Sequence, residues 1–69
     1  MELISDLTFN FGSFASTSCE VSATSDAGNA FIEAQFGWAA CGATLPKTKG
    51  NDLMVFAERN GLTCEALSA

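Results

Sequence analysis

The sequence predicts a small α+β domain with the element order ββαβαβ, in which one sheet carries both helices on a single face. Apolar and polar residues alternate near the amino terminus and again at the end of the chain, as in half-buried strands. Before the final strand, residues 47–62 repeat their apolar positions with a helical period. A chain of 69 residues has material for one domain, so residues 1–69 are treated as a single unit.

The first two elements are predicted as strands that pair antiparallel. Residues 7–11, "LTFNF", place an apolar side chain at every second position. Residues 18–24, "SCEVSAT", alternate in the same way, and Gly12 and Ser13 end the strand before them. The connecting "GSFAST" is predicted as a loop with Phe14 at its tip.

Residues 25–38, "SDAGNAFIEAQFGW", fit two different elements. As a helix, the stretch has Ser25 or Asp26 as its N-cap and Gly37 as the residue that follows the last turn. Its apolar stripe then consists of Ala27, Ala30, Phe31, Ala34 and Trp38. As a strand, the stretch follows a good turn, and the fold becomes βββαβ with one helix. We favour the helix because cap, stop and composition agree, and the strand stays open as the alternative.

A short buried strand is predicted next, followed by a second helix. The strand, "WAACGATL", spans residues 38–45. Pro46 lies just outside the helix, and Thr48 is the predicted N-cap because its hydroxyl can accept a hydrogen bond from the first turn. Gly50 lowers the helix propensity of that turn by up to about 1 kcal/mol.

The end of the second helix has the clearest local signal in the chain. Leu53 and Ala57 belong to an apolar stripe of helical spacing, and Gly61 supplies the left-handed residue that ends a helix. Leu62 follows in the position that packs back on the last turn. Residues 62–67, "LTCEAL", alternate again and are predicted as the final strand.

Acidic residues dominate the first two thirds of the chain. The sequence has eight Asp and Glu against three Lys and Arg, a net charge of −5, and residues 1–46 contain no Lys or Arg. A field of one negative sign repels phosphate, so the composition argues against binding of DNA or RNA. It favours instead a partner protein with a basic surface.

The residue types present indicate neither an enzyme nor a cofactor site. The chain has no His and no Tyr, and no phosphate-binding or nucleophile motif occurs in it. Its three Cys are widely spaced and odd in number, which predicts reduced, buried thiols rather than disulfides or a zinc site. The first residues are acidic, and no apolar run approaches the roughly 20 residues of a membrane span. We therefore expect a cytoplasmic protein with no membrane partner.

Binding to another protein is the function that remains, and two kinds of contact are predicted. Carboxylates form charge-assisted hydrogen bonds with Arg and Lys. The candidate partner-binding carboxylates are Asp6, Glu20, Asp26 and Glu33. Phe14 is the candidate aromatic anchor. The alternative is a structural or assembly module that forms a homo-oligomer, such as a homodimer, through exposed apolar surface.

Several features together resemble the small phage-encoded anti-CRISPR proteins, in particular inhibitors of type I-F systems. These features are the length, the acidic bias, "FGSF" near an early strand, "NAFIEAQFG" as a first helix, and a closing strand. In that family, acidic surface residues occupy the site where the Cascade complex reads DNA. The resemblance implies such a role for Asp26 and Glu33, which flank "NAFIEAQFG". It implies a phage or prophage protein that inhibits a host defence or regulatory protein in the host cytoplasm, by imitating nucleic acid.

Overall fold

A computed structural model describes residues 4–37 and 42–68. The elements follow the order β1 (Leu7–Asn10), β2 (Ser18–Ala23), α1 (Asp26–Phe36), β3 (Ala43–Pro46), α2 (Lys47–Arg59) and β4 (Cys64–Leu67). The predicted α+β class and the order ββαβαβ are confirmed. The βββαβ alternative is wrong, because the stretch that would have formed its third strand is the helix α1.

The strands form one mixed sheet in the order β3-β2-β1-β4. β1 and β2 pair antiparallel, as predicted, and β2 pairs antiparallel with β3 on its other side. β4 joins the opposite edge, where it runs parallel to β1. Both α1 and α2 lie on one face of the sheet, since Ile32 and Ala57 share one core with the inward side chains of β1 and β2.

The core lies between this face and the two helices. Its fully buried side chains are Leu7, Phe9, Cys19, Val21, Ile32 and Ala57. Those from β1 and β2 follow the predicted period of two, and the cross-strand partner of Phe9 is Val21. The alternating residues of both strands therefore point to the opposite face of the sheet.

The ends of α1 follow the sequence prediction. Ser25 is the N-cap, and its hydroxyl accepts a hydrogen bond from the Gly28 N–H at 3.0 Å. Gly37 has a φ of +81° and donates its N–H to the Glu33 carbonyl at 2.7 Å. A cap hydroxyl and a left-handed glycine thus delimit the helix at the predicted residues.

The predicted apolar stripe of α1 is wrong. Gly28 and Ile32 are the buried residues of this helix, whereas Ala27, Ala30 and Ala34 are exposed. A buried isoleucine side chain removes far more apolar surface from water than alanine methyl groups do, so the helix turns Ile32 inward. Phe31 is partly buried, and Trp38, the last member of the predicted stripe, lies outside the described residues.

The predicted N-cap of α2 is also wrong. The helix begins at Lys47, directly after Pro46, and has no side-chain cap. Pro46 is the last residue of β3, and the Lys47 N–H donates to the Thr17 carbonyl at 3.1 Å. The pairing of β3 with β2 therefore fixes the start of the helix, and Thr48 falls inside its first turn.

The end of α2 confirms its prediction. The Leu62 N–H donates to the Ala57 carbonyl and the Gly61 N–H donates to the Glu58 carbonyl, both at 3.1 Å. Gly61 has a φ of +83°. These two bonds and the left-handed glycine make a Schellman motif, with Leu62 packed against the core.

The predicted bounds of the last two strands shift. Within the described residues, β3 covers only the end of the predicted strand 38–45 and extends to Pro46, while positions 38–41 lie outside the description. β4 begins at Cys64 rather than at Leu62, because Leu62 is engaged in the helix stop.

Gly50 has a structural role that its low helix propensity concealed. It is buried against β2, and a Cβ added to it would lie 2.9 Å from the Cys19 Cβ and 2.8 Å from the Cys19 Sγ. Real Cβ atoms do not approach a neighbour so closely. Gly50 therefore allows α2 to approach the sheet.

We expect Gly50→Ala to lower the free energy of unfolding by about 1 kcal/mol. Alanine adds up to about 1 kcal/mol of helix propensity, but overpacking against a buried strand costs about 1–3 kcal/mol. A shift of the urea midpoint measures the balance. The exposed neighbour Asn51 supplies the control, since Asn51→Ala should be neutral or stabilising. Stabilisation by Gly50→Ala would show that Cys19 can shift at little cost to accommodate the added methyl group.

Candidate protein-interaction surface

The face of the sheet opposite the helices carries a polar surface with two carboxylates. Its side chains are those that alternate with the buried ones in β1, β2, β3 and β4. We call this surface the open sheet face and define it by Thr8, Asn10, Glu20, Ser22, Thr44, Glu65 and Leu67. A depression of about 480 Å³ lies on it, lined by all of these residues except Glu65.

The strand register sets the positions of the two carboxylates on this face. Glu20 lies beside Asn10, and Glu65 lies beside Thr8 on the other flank of β1. The two glutamates are thus two strands apart and displaced by two residues along the strands. With ordinary sheet spacings, their Cα atoms are roughly 12 Å apart. Both side chains are exposed.

The positive charges of the described residues lie on the other side of the molecule. Lys47, Lys49 and Arg59 all belong to α2, which packs on the helix-bearing face. The Lys47 ammonium donates a hydrogen bond to the Ser13 carbonyl at 2.9 Å. Within the described ranges, the open sheet face therefore presents carboxylates and hydroxyls with no Lys or Arg side chain.

Asp26 and Glu33 form a second acidic surface, on α1. They are seven residues apart, so they lie on the same side of the helix, separated by roughly 10 Å along its axis. Both are exposed. This surface belongs to the helix layer, whereas Glu20 lies on the opposite side of the sheet. The sequence prediction grouped these three carboxylates, and the fold separates them.

Asp6 serves the fold through hydrogen bonds within the chain. Its carboxylate accepts from the Ser25 hydroxyl at 2.6 Å, from the Thr63 N–H at 2.8 Å and from the Thr63 hydroxyl at 3.0 Å. The bond from Ser25 makes the largest contribution to lowering the pKa of Asp6, and the bonds from Thr63 lower it further. Asp6 therefore connects the start of β1 with the N-cap of α1 and the segment before β4.

Phe14 lies at the tip of a loop that several hydrogen bonds hold in place. Its side chain is fully exposed. The Ser13 carbonyl accepts from the Ser16 N–H at 3.0 Å as well as from Lys47, and the Gly12 N–H donates to the Asn10 side chain at 3.0 Å. The loop thus presents Phe14 to solvent in a defined position, as an aromatic anchor requires.

The other large apolar side chains that are exposed in the described part of the chain are distributed over several elements. They are Ile4, Val55, Phe56 and Leu67. Phe56 also packs against Phe31 of α1, with ring centroids 5.7 Å apart. Self-association through such residues, and the homodimer with it, stays a prediction.

A groove between the helices is a feature that the sequence did not predict. It has a volume of about 360 Å³ and is lined mainly by apolar side chains, with Lys49 and Asp52 among its polar ones. Phe36 and Leu45 contribute to its lining. Their convergence depends on how α1 and β3 pack, and no local pattern reports that.

Among the described residues, the thiols and carboxylates form no metal-binding cluster. No cluster of three or more His, Cys, Asp or Glu side chains in residues 4–37 and 42–68 is placed to hold a metal ion. Burial raises the pKa of the Cys19 and Cys64 thiols, and nearby carboxylates raise it further. Both are therefore protonated thiols at neutral pH, which are poor nucleophiles. Cys41 lies outside the described residues.

Comparisons of the chain with protein families, with curated proteins and with solved structures find no match. Neither α1 nor α2, the helices of the described segments, has the length and apolar character that crossing a membrane demands. The interpretation of the surface therefore depends on its own geometry and charge.

Of the five predicted site residues, only Asp26 and Glu33 share one surface. Glu20 lies on the open sheet face, Asp6 is engaged within the fold, and Phe14 is on the loop between β1 and β2. The sequence prediction did not include Glu65, although the alternation of its strand places it opposite Cys64 and Ala66. The last third of the chain is neutral overall, so its charge gives no signal for Glu65.

Proposed function

We propose that this protein binds a basic surface of another protein through its open sheet face, without catalysis. The observation that carries the proposal is the separation of charge. Glu20 and Glu65 lie on a face without a described Lys or Arg, while the described cations are all on α2. Such an arrangement attracts a basic surface and repels nucleic acid.

The open sheet face suits an extended basic partner for a second reason. The sheet fixes the backbone positions of Glu20 and Glu65 on either side of β1, so binding does not have to order the backbone that carries these carboxylates. The hydroxyl and amide groups of Thr8, Ser22 and Asn10 lie near them and can supply further hydrogen bonds. The surface can therefore form several polar contacts at once with Arg or Lys side chains.

The partner that we propose is a host defence protein whose basic surface normally holds nucleic acid. Carboxylates on residues whose Cα atoms lie roughly 12 Å apart in one sheet can occupy cationic sites that otherwise contact phosphates. The resemblance to phage-encoded anti-CRISPR proteins supports a CRISPR effector as that partner, in the cytoplasm of the host. Binding there would compete with DNA.

A competition experiment tests this function. A type I-F CRISPR complex is incubated with fluorescent double-stranded target DNA, and DNA binding is followed by anisotropy as the protein is added. We expect the protein to displace the DNA, and displacement to weaken as salt is raised. No displacement at any protein concentration up to a large excess over the complex would overturn the proposed function.

Two matched double variants locate the surface. Glu20→Lys with Glu65→Lys alters the open sheet face, and Asp26→Lys with Glu33→Lys alters α1, with the same change in net charge. We expect the open-face variant to lose at least about tenfold in competition, since like charges then meet, and the α1 variant to lose much less. Equal losses would mean that net charge alone matters. A larger loss in the α1 variant would move the site to Asp26 and Glu33.

A further inference from the structure

The two edges of the sheet differ in what they offer to an incoming strand. At the β3 edge, the Lys47 N–H donates to the Thr17 carbonyl and therefore points toward β2. Because the backbone groups of a strand alternate, those of Thr44 and Pro46 point away from β2, toward the open edge. Pro46 has no N–H, so this edge lacks one of the donors that an added strand would need. The β4 edge contains no proline, Lys or Arg. It is the better template for an added strand.

The outward-facing groups of β4 can be assigned from its bonds to β1. The Thr63 carbonyl accepts from the Leu7 N–H at 3.1 Å, and the Leu67 carbonyl accepts from the Phe11 N–H at 2.8 Å. In a parallel pair the backbone groups alternate, so those of Cys64 and Ala66 point away from β1. No other segment of residues 4–37 and 42–68 pairs with them.

The charges around this edge are negative. Glu65 is exposed on β4 itself, next to the outward backbone groups. Glu58 also contributes to the raised pKa of Cys64, after the larger effect of burial, and Asp6 does so from the β1 side of the strand. An added strand would therefore meet hydrogen-bonding groups and negative charge together.

We propose that the outer edge of β4 accepts an extended, basic segment of the partner protein as a fifth strand of the sheet. The segment pairs with the backbone groups of Cys64 and Ala66 and places an Arg or Lys beside Glu65. This inference rests on the proposed function and specifies how the partner is held. A second copy of the chain is a poorer occupant, because its net charge is also −5.

Peptides that differ only in backbone methylation test this pairing. The probe is a fluorescein-labelled octapeptide of alternating Arg and Thr, prepared unmodified, N-methylated at every Thr, or N-methylated at every Arg. A strand presents alternate N–H groups to its two sides, so only one methylated set faces β4. We expect one methylated peptide to bind like the parent and the other to bind at least about tenfold more weakly by anisotropy.

Variants of the protein provide the second arm of the test. Ala66→Pro removes an outward N–H from an edge strand, where proline is tolerated, and should weaken binding of the unmodified peptide about tenfold. Glu65→Gln should weaken it up to about fivefold, whereas Glu33→Gln, with the same charge change on α1, should leave it unchanged. Circular dichroism checks that each variant is folded, and the methylated peptides decide the matter if Ala66→Pro is not.

Each outcome supports or overturns the proposal. Equal binding of both methylated peptides, or equal loss of both, would exclude strand addition. Self-association of the protein without peptide, abolished by Ala66→Pro, would make a second copy the occupant and overturn the proposal. If the methylated peptides bind alike while the charge reversals still abolish competition with DNA, the open sheet face stands and the edge proposal fails. Discrimination between the peptides without any displacement of DNA would reject the proposed function alone.

Discussion

Alanine in place of Gly28 is expected to lower the free energy of unfolding by about 2–5 kcal/mol. A Cβ at this position would lie 1.8 Å from the Asp6 carbonyl oxygen and 2.7 Å from the Asp6 carbonyl carbon. These are backbone atoms, and the same oxygen accepts the Thr24 N–H at 2.9 Å, so it cannot move aside without breaking that bond. The helix would have to move away from β1.

The size of the effect follows from what that movement uncovers. Ile32 lies one turn beyond Gly28 and has no exposed surface, so lifting α1 exposes it and leaves a cavity beneath. Loss of such contacts costs about 2–5 kcal/mol. A chain of this length has a total stability of only about 3–10 kcal/mol. The substitution therefore removes a large part of the total stability.

The matched control is Gly37→Ala, at the end of the same helix. A Cβ there meets no atom within 4 Å, so only the positive φ of +81° opposes it, at a cost of about 1 kcal/mol. Far-UV circular dichroism and denaturant titration compare the two variants. We expect the denaturant midpoint to fall slightly for Gly37→Ala and much further for Gly28→Ala. Similar transitions for both would show that α1 can shift at little cost.

The contrast between these glycines shows which parts of the fold the sequence reveals. Gly37 and Gly61 act through local backbone geometry, and both helix stops were predicted from neighbouring residues. The closeness of Gly28 to Asp6 joins positions that are 22 apart in sequence, and nothing near Gly28 reports it. The apolar stripe of α1 was misassigned for the same reason, because the choice between alanines and Ile32 depends on the surface that the helix meets.

The same distinction between local patterns and long-range contacts applies to the candidate site. Alternation within single strands correctly separated inward from outward residues, and it would have placed Glu65 on the open sheet face. The sequence does not indicate which strands become neighbours, because β4 pairs with β1 although most of the chain separates them. The grouping of Glu20 with Asp26 and Glu33 failed because a carboxylate on a strand and two on a helix can fall on opposite sides of one sheet.

Asp6 is the predicted site residue whose role changed most, and its replacement gives the second large effect. We expect Asp6→Asn to lower the melting temperature by several degrees. The carboxylate accepts hydrogen bonds from two donors at 2.6 and 2.8 Å, besides the Thr63 hydroxyl. Asparagine has one acceptor oxygen and carries no charge, so the bond on the side of its NH₂ group is lost or reversed and the remaining bonds lose their charge assistance. The connection between α1, β1 and β4 would weaken.

The pH dependence of stability distinguishes the contribution of the Asp6 charge from that of its hydrogen-bond geometry. The pKa of Asp6 is lowered in the folded protein from its ordinary value of 3.8, so the unfolded chain binds the proton more tightly. The stabilisation is therefore complete well above pH 3.8 and is lost as pH falls through that value toward the lower folded pKa. Thermal unfolding followed between pH 7 and pH 2 should show wild type and Asp6→Asn far apart at neutral pH and converging in acid.

Asp52→Asn, at an exposed carboxylate of α2, should differ little from wild type at neutral pH. A gap between Asp6→Asn and wild type that stays constant down to pH 2 would mean that the charge of Asp6 contributes nothing, and that the geometry of its hydrogen bonds alone joins the three elements.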